Sequence, residues 1–286
     1  MWLKSAEIRR DLGNGASWSA AVVCARLLSM VVVLLGANAA VAETINVSAA
    51  VSTKEAVTDI AKAFEAETHD HVDLTFGSSG QLAAQIRNGA PVDLFISAAN
   101  KEVDDLSKAG LVDDATRRIV AGNELVLIVP ADSKTSSSSF EQLKDPAFNR
   151  VAIGEPKTVP AGQYAMQVLK TLNLENDLSP RLIFGVNVRQ VLAYVERGEV
   201  SAGVVYATDA LQAGPKVKVV ATAKPSLHEP VLNPAVVVKA STNKPLALQF
   251  LHYLLSDKGQ AALAAHGFTR AADAAPDIPT TAPAGK

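Results

Sequence analysis

Cysteine is all but missing from this chain: one residue, Cys24, in 286. It lies ahead of all the strand–helix alternation, so the body of the protein has no thiol. That excludes disulfides, thiolate metal sites and cysteine nucleophiles there. An excess of one charge is missing too. The formal charge is −2, and it moves to −4 without residues 1–42, which hold four of the 27 basic and two of the 29 acidic side chains. Such a body has neither the basic footprint that nucleic acid needs nor a polybasic face for anionic lipid. It also cannot attract an anion by net charge, so a bound anion must be held by local dipoles. Catalytic motifs are equally absent: no nucleophile elbow, no P-loop and no dinucleotide fingerprint. The serines have no histidine and carboxylate in a recognisable arrangement.

Long hydrophobic runs are missing except near the N-terminus. There, Arg9, Arg10 and Arg26 precede an apolar stretch over 27–36, and small residues follow to Ala40-Val41-Ala42. This is the charged region, apolar region and small-residue cleavage site of a secretory signal. The run is short for a membrane span. Arg9-Arg10 is followed by Asp11-Leu12, a poor fit to a twin-arginine signal, so the general secretory route is expected, with cleavage after Ala42. Cys24 lacks the small-residue surroundings of a lipid attachment site. The expected location is the periplasm.

From Ile45 onward, short β-branched strands alternate with amphipathic helices, the pattern of an α/β protein. Strands are expected over 45–49, 71–76, 92–97 and 124–129. Ser52 and Glu55 have capping-box spacing, and Val57, Ile60, Ala61 and Phe64 then share one helical face. Further helices are expected over 81–88 and 101–108. A polar loop over 132–139 reads as flexible surface. The alternation then restarts with a strand over 150–154, helices over 162–172 and 188–197, and strands over 202–206 and 217–221. A second long apolar strand over 231–238 and helices over 245–255 and 257–266 close the fold. The Ala/Pro/Thr-rich tail, 270–286, is expected to be disordered. The long strands near Leu125 and Val236 bracket a self-contained block. The reading is therefore two lobes: lobe one from 43–128 and 232–269, lobe two from 129–231, joined by two crossings.

Five segments stand at the ends of these elements: Ala49-Ala50-Val51-Ser52, Phe76-Gly77-Ser78-Ser79-Gly80, Val159-Pro160-Ala161-Gly162, Asn187-Val188-Arg189 and Gly203-Val204-Val205-Tyr206. The first four each open a helix, whose first N–H groups have no intrahelical partner and sit at the positive end of its dipole. Several such ends aimed at one point make an anion site without any charged side chain.

These residues carry a resemblance to the periplasmic molybdate-binding proteins. It rests on the segments 47–52, 76–82, 89–98, 122–123, 154–165, 188–189, 195–199 and 203–210, with Gly259-Gln260-Ala261-Ala262 and Gly267-Phe268 at the end, and covers about residues 44–268. The resemblance implies an α/β, two-lobed type II periplasmic binding protein fold with the ligand in the cleft between lobes. It implies that the oxyanion is held by Ser52 and Ser79 from the first lobe and by Ala161, Val188 and Tyr206 from the second. These would bind molybdate through its oxygens, with no direct ligation of the metal. Tungstate is expected to bind as well, no cofactor is expected, and the partner is the membrane permease of an ABC importer with its cytoplasmic ATPase. A monomer is expected. The chain departs from the family at Thr53, where leucine is frequent, and at Gly80-Gln81, where a Ser-Thr pair is more usual.

Each candidate has a plainer role to set beside this. Ser52 and Ser79 would ordinarily be helix N-caps. Ala161 and Val188 can offer only backbone N–H. Tyr206 at a strand end would ordinarily be a core edge, though its hydroxyl can donate. Arg189, one step round the helix from Val188, is expected to be structural or at the cleft rim. His69 and His71 flank Asp70, but no further ligands accompany them for a metal. Within the binding class, the rivals are receptors for sulfate, thiosulfate or phosphate. A phosphate receptor would place an acidic acceptor against the phosphate proton, and none of the five positions is acidic. An enzyme such as a transferase or lyase acting on an anionic substrate is the alternative from another class.

Overall fold

The computed structural model describes residues 42–135 and 137–274. The expected leader with Cys24, residue Ser136 of the polar loop, and residues 275–286 of the tail lie outside the described residues. Along the chain, β1 (Thr44–Ala50) leads through a single turn, Val51–Thr53, into α1 (Lys54–Thr68). Then come β2 (His71–Gly77), α2 (Ser79–Arg87), β3 (Leu94–Ile96), α3 (Asn100–Lys108) and β4 (Arg118–Gly122). β5 (Leu125–Pro130) and β6 (Val151–Gly154) precede α4 (Pro160–Thr171), α5 (Glu175–Leu178), β7 (Leu182–Gly185), α6 (Val188–Glu196), β8 (Ala202–Tyr206), α7 (Ala207–Ala213) and β9 (Val217–Thr222). β10 (Leu232–Val237), α8 (Lys244–Leu255), α9 (Asp257–Ala265), β11 (Thr269–Arg270) and α10 (Ala271–Ala274) complete the described chain.

The strands form two sheets. One has six strands in the order β11-β4-β10-β3-β1-β2, and the other has five in the order β7-β6-β8-β5-β9. In each, three adjacent strands run parallel: β1 with β2 and β3 in the first, β6 with β7 and β8 in the second. Helices cover both faces of such strands, which is why β3 and β6 are buried along their whole length. In the first lobe, α1 turns Ala56, Val57, Ile60, Ala61 and Phe64 inward at helical spacing, against α8 and the sheet. Leu82, Ile86, Val103 and Leu106 of α2 and α3 cover the opposite side, against Phe95 and Val236. The second lobe has one continuous core, from Leu125 and Ile153 to Val191 and Val205.

One strand lies in a different lobe from that expected. The long apolar strand at Leu125, expected in the first lobe, pairs as β5 antiparallel with β8 and β9 in the second sheet. Its place in the first sheet is taken by β4, antiparallel to β10 and β11, which the apolar pattern did not reveal. The chain therefore crosses between lobes at Asn123-Glu124 and returns before β10. The two crossings are bonded to each other, with Asn123 N–H donating to Val231 O at 3.0 Å and Ala223 N–H to Leu125 O at 2.8 Å. The expected disorder does not begin at Arg270, which pairs in β11, and residues 271–274 are helical. Among the described residues, no helix is long and apolar enough to cross a membrane.

Candidate functional site

Parallel strands whose helices begin at one edge place every helix N-terminus at the strands' C-terminal ends. In the first sheet, Ala50 of β1 is in register with Gly77 of β2, and Ala49 with Ile96 of β3. The loops that follow, carrying Ser52, Ser79 and Ala98, are thereby set side by side. In the second sheet, Gly154 of β6 is in register with Gly185 of β7, and Ala152 with Gly203 of β8. The loops beyond them carry Ala161, Val188 and Tyr206. The start of α4 lies hard against its own strand: a Cβ on Gly162 would fall on the Gly154 carbonyl, so only glycine brings Ala161 this close to the sheet edge.

The two edges face each other, and all five sequence-predicted residues line one small cavity between the lobes, of about 10 Å³. Among the described residues, no charged side chain lines it; Ser78, Ala98 and Pro160 complete much of the wall. All five residues are buried. Ser79, Ala161 and Val188 occupy the first turns of α2, α4 and α6, where N–H groups lack intrahelical acceptors.

The serine hydroxyls are not the helix caps that their sequence context suggests. Ser52 lies in the turn before α1, whose N-cap is Thr53 with no side-chain cap bond, so the expected capping box with Glu55 does not form. Instead, the Ser52 hydroxyl oxygen is buried without a hydrogen-bond partner among the described residues, as is that of Ser78. Ser79 Oγ accepts from Ala98 N–H at 3.0 Å, which leaves its own O–H hydrogen free to donate into the cavity. The Tyr206 hydroxyl reaches across the cleft toward Ala98 O at 3.5 Å, a long contact. Burial holds the Tyr206 phenol well above its ordinary pKa, so it stays a donor. The cavity thus has donors in abundance and no carboxylate among its walls.

Around it, further contacts join the lobes. Gly80 N–H of α2 donates to Thr158 O at 3.0 Å. Gln163 of α4 donates to Glu102 Oε1 of α3 at 2.7 Å. Glu102 is only 3% exposed, and desolvation pushes its carboxyl above the usual range despite the Gln163 bond. Arg189 of α6 reaches Glu55 of α1 through Nη1 at 3.2 Å and Nη2 at 2.6 Å. Its Nε also lies 2.7 Å from Asp209 Oδ1, an ion pair without an aligned hydrogen bond. Asp209 in turn accepts from Tyr206 N–H at 3.3 Å. Arg189 therefore stands outside the cavity wall and bridges the cleft. Glu102 and Gln163 carry no signal in the sequence, because they lie 61 positions apart, and Glu55 reads there only as a capping residue.

His69 and His71 have ordinary structural surroundings. His69 ends α1 in the left-handed conformation, φ 65°, and His71 pairs with Glu65 at 2.6 Å and Asp73 at 3.1 Å. Among the described residues there is no cluster of His, Cys, Asp and Glu suited to a metal ion.

Residues 45–269 match the family model of the bacterial extracellular solute-binding proteins. The chain is 39% identical over 228 residues to a putative ABC transporter substrate-binding lipoprotein, YvgL, of Bacillus subtilis, covering 79% of this chain and 86% of that one. It is 38% identical over 242 residues to the molybdate-binding protein ModA of Haemophilus influenzae, covering 82% and 93%. Among solved structures, it resembles the substrate-binding domain of a putative molybdenum ABC transporter from Clostridium difficile. That match has a TM-score of 0.64 and 37% identity, over 80% of this chain and 99% of the other.

Proposed function

We propose that this chain, which belongs to the bacterial extracellular solute-binding proteins, captures molybdate in the periplasm and passes it to the membrane permease of an ABC importer with its cytoplasmic ATPase. Tungstate, of the same charge and shape, is bound as well. The reading is of a monomeric receptor that needs no cofactor and does no chemistry on its ligand. Ser52, Ser79, Ala161, Val188 and Tyr206 contact the oxyanion through its oxygens. The observation that carries this is the convergence of those five residues on one cavity without a charged side chain, where the Ser52 hydroxyl is buried and unpartnered. A buried hydroxyl with no partner is costly, and an anion oxygen is the acceptor that would satisfy it. The relatives that bind molybdate lend support over nearly their whole length.

The chemistry of the wall favours a fully deprotonated dianion, since a protonated oxygen would find donors and no carboxylate to receive its hydrogen. Neutral donors also avoid leaving an unpaired cation buried when the ligand departs. Between closed lobes each hydrogen bond to a charged oxygen contributes on the order of 1.5–3 kcal/mol. Sulfate is smaller, so donors spaced for molybdate stand too far from its oxygens to bond well. Calorimetric titration with molybdate, tungstate and sulfate tests the proposal. Molybdate and tungstate are expected to bind alike and sulfate far more weakly; sulfate binding as tight as molybdate would overturn the assignment.

A further inference from the structure

Gly80 is the second residue of α2, in the first lobe, and Thr158 lies in the loop before α4, in the second. Their backbones touch: the Gly80 N–H, an early helical N–H, is spent on the Thr158 carbonyl across the cleft rather than turned into the cavity. A Cβ built on Gly80 would lie 2.6 Å from Thr158 O, 2.7 Å from its Cα and 3.0 Å from its carbonyl carbon. All three are backbone atoms, so no side-chain rotation relieves the overlap. Relief requires the lobes to part or the loop before Ala161 to move, and either displaces that residue from Ser79. The backbone conformation at Gly80 is ordinary, so the missing Cβ is needed for space and not for a left-handed turn.

We infer that Gly80 is the residue that sets how closely the two lobes close on the anion. Its lack of a side chain, where the family more usually has serine, admits the Thr158 backbone closely in this chain, and the resulting contact is the stop against which this cleft shuts. The inference rests on the reading that the cavity between the lobes receives an oxyanion, and deepens it by naming a positioning residue that does not itself touch the ligand.

Gly80→Ala separates closure from folding because the two respond in opposite directions. Alanine is the better helix former, so the ligand-free variant should melt at the wild-type temperature or above it. Its oxyanion affinity should fall roughly tenfold or more, since donors from one lobe are drawn away from oxygens held by the other. The loss should lie in faster release. In the anion-saturated wild type, the residue 80 amide should exchange slowly with solvent, and in the variant quickly. Gly80→Ala combined with Thr158→Gly should remain as weak, because the atoms met are backbone. Titrations use molybdate, tungstate, sulfate and thiosulfate on both proteins. Should the wild type prefer sulfate, the molybdate reading falls, while a loss of sulfate affinity in Gly80→Ala would still uphold the closure role. Wild-type affinity and slow exchange at residue 80 in the variant, or restored binding in the double variant, would overturn the inference and leave the molybdate reading standing. Binding of none of these anions by the wild type would sink both.

Discussion

Arg189 spans the cleft with its guanidinium between two carboxylates, gripping Glu55 of the opposite lobe at 2.6 Å and Asp209 of its own at 2.7 Å. Asp209 is completely buried, whereas Glu55 and Arg189 keep part of their surface in water. Arg189→Ala leaves Asp209 buried without its cation, a loss on the order of 3 kcal/mol for such pairs. Denaturant unfolding should show that loss, and Arg189→Ala with Asp209→Asn together should recover part of it. Anion affinity should fall less than in the serine variants, because Arg189 is outside the cavity. Abolished binding in Arg189→Ala with normal binding in both serine variants would point to a site built on a salt bridge.

Ser52 and Ser79 should behave alike in binding and differently in stability. Ser52→Ala and Ser79→Ala should each weaken molybdate binding roughly tenfold to a hundredfold, the value of one hydrogen bond to a charged oxygen. Removing the unpartnered Ser52 hydroxyl should leave the ligand-free protein as stable or slightly more so. Removing Ser79 Oγ takes the acceptor from the buried Ala98 N–H, which should destabilise by about 1–3 kcal/mol. Thermal melts without ligand separate the two; equal destabilisation would show that Ser52 has a partner in solution.

Tyr206→Phe removes one donor and keeps the ring. Among the described residues its hydroxyl has only the long 3.5 Å contact to Ala98 O, so unliganded stability should change little. Binding should weaken by about 1–3 kcal/mol if an anion oxygen loses its donor in the dry cleft. Calorimetry on the variant decides this, and wild-type affinity would make the tyrosine a packing residue.

Asp209 should give the protein a pH dependence of definite sign. Burial pushes its carboxyl from the ordinary 3.8 up to about 6, with the Arg189 charge pulling the other way. The folded chain thus holds this proton more tightly than the unfolded chain. The associated stability is complete below the unfolded value near 3.8 and is lost as pH rises through about 6. Wild-type stability relative to Asp209→Asn should therefore fall by roughly 2–3 kcal/mol between pH 4 and pH 7 and then level off. A difference that stays flat across that range would show Asp209 ionised throughout.

Much of the fold is legible in apolar periodicity. The strands at Val47, Phe95 and Val205 and the helix carrying Ile60 and Phe64 announce themselves because each buries a regular set of side chains. β4 does not, since it opens on the charged Arg118 and is short; β7 is a four-residue edge strand with Phe184 exposed. With β4 hidden from the apolar pattern, the long strand at Leu125 reads as the last of the first lobe, although it pairs in the second. At the site, the junction pattern locates the helix starts, yet the local reading of Ser52 and Glu55 as a capping pair fails for a long-range reason. Glu55 is claimed by Arg189, 134 positions away, and Ser52 faces the cavity. Ala161 and Val188 have side chains that signal nothing, and only the family pattern singled them out. The Gly80–Thr158 contact was invisible because it depends on the distance between two lobes.

A cavity wall without charge, set in a body of formal charge −4 once residues 1–42 are set aside, has a kinetic corollary. An arriving dianion is repelled at long range and attracted only when it reaches the helix ends. Added salt shortens the Debye length, to about 8 Å at physiological ionic strength, and screens the repulsion more than it screens donors shut inside the closed cleft. Association should therefore quicken as ionic strength rises, the reverse of a receptor that draws in its anion with arginine or lysine, while dissociation stays nearly unchanged. Capture by this protein would then be most rapid in salty surroundings.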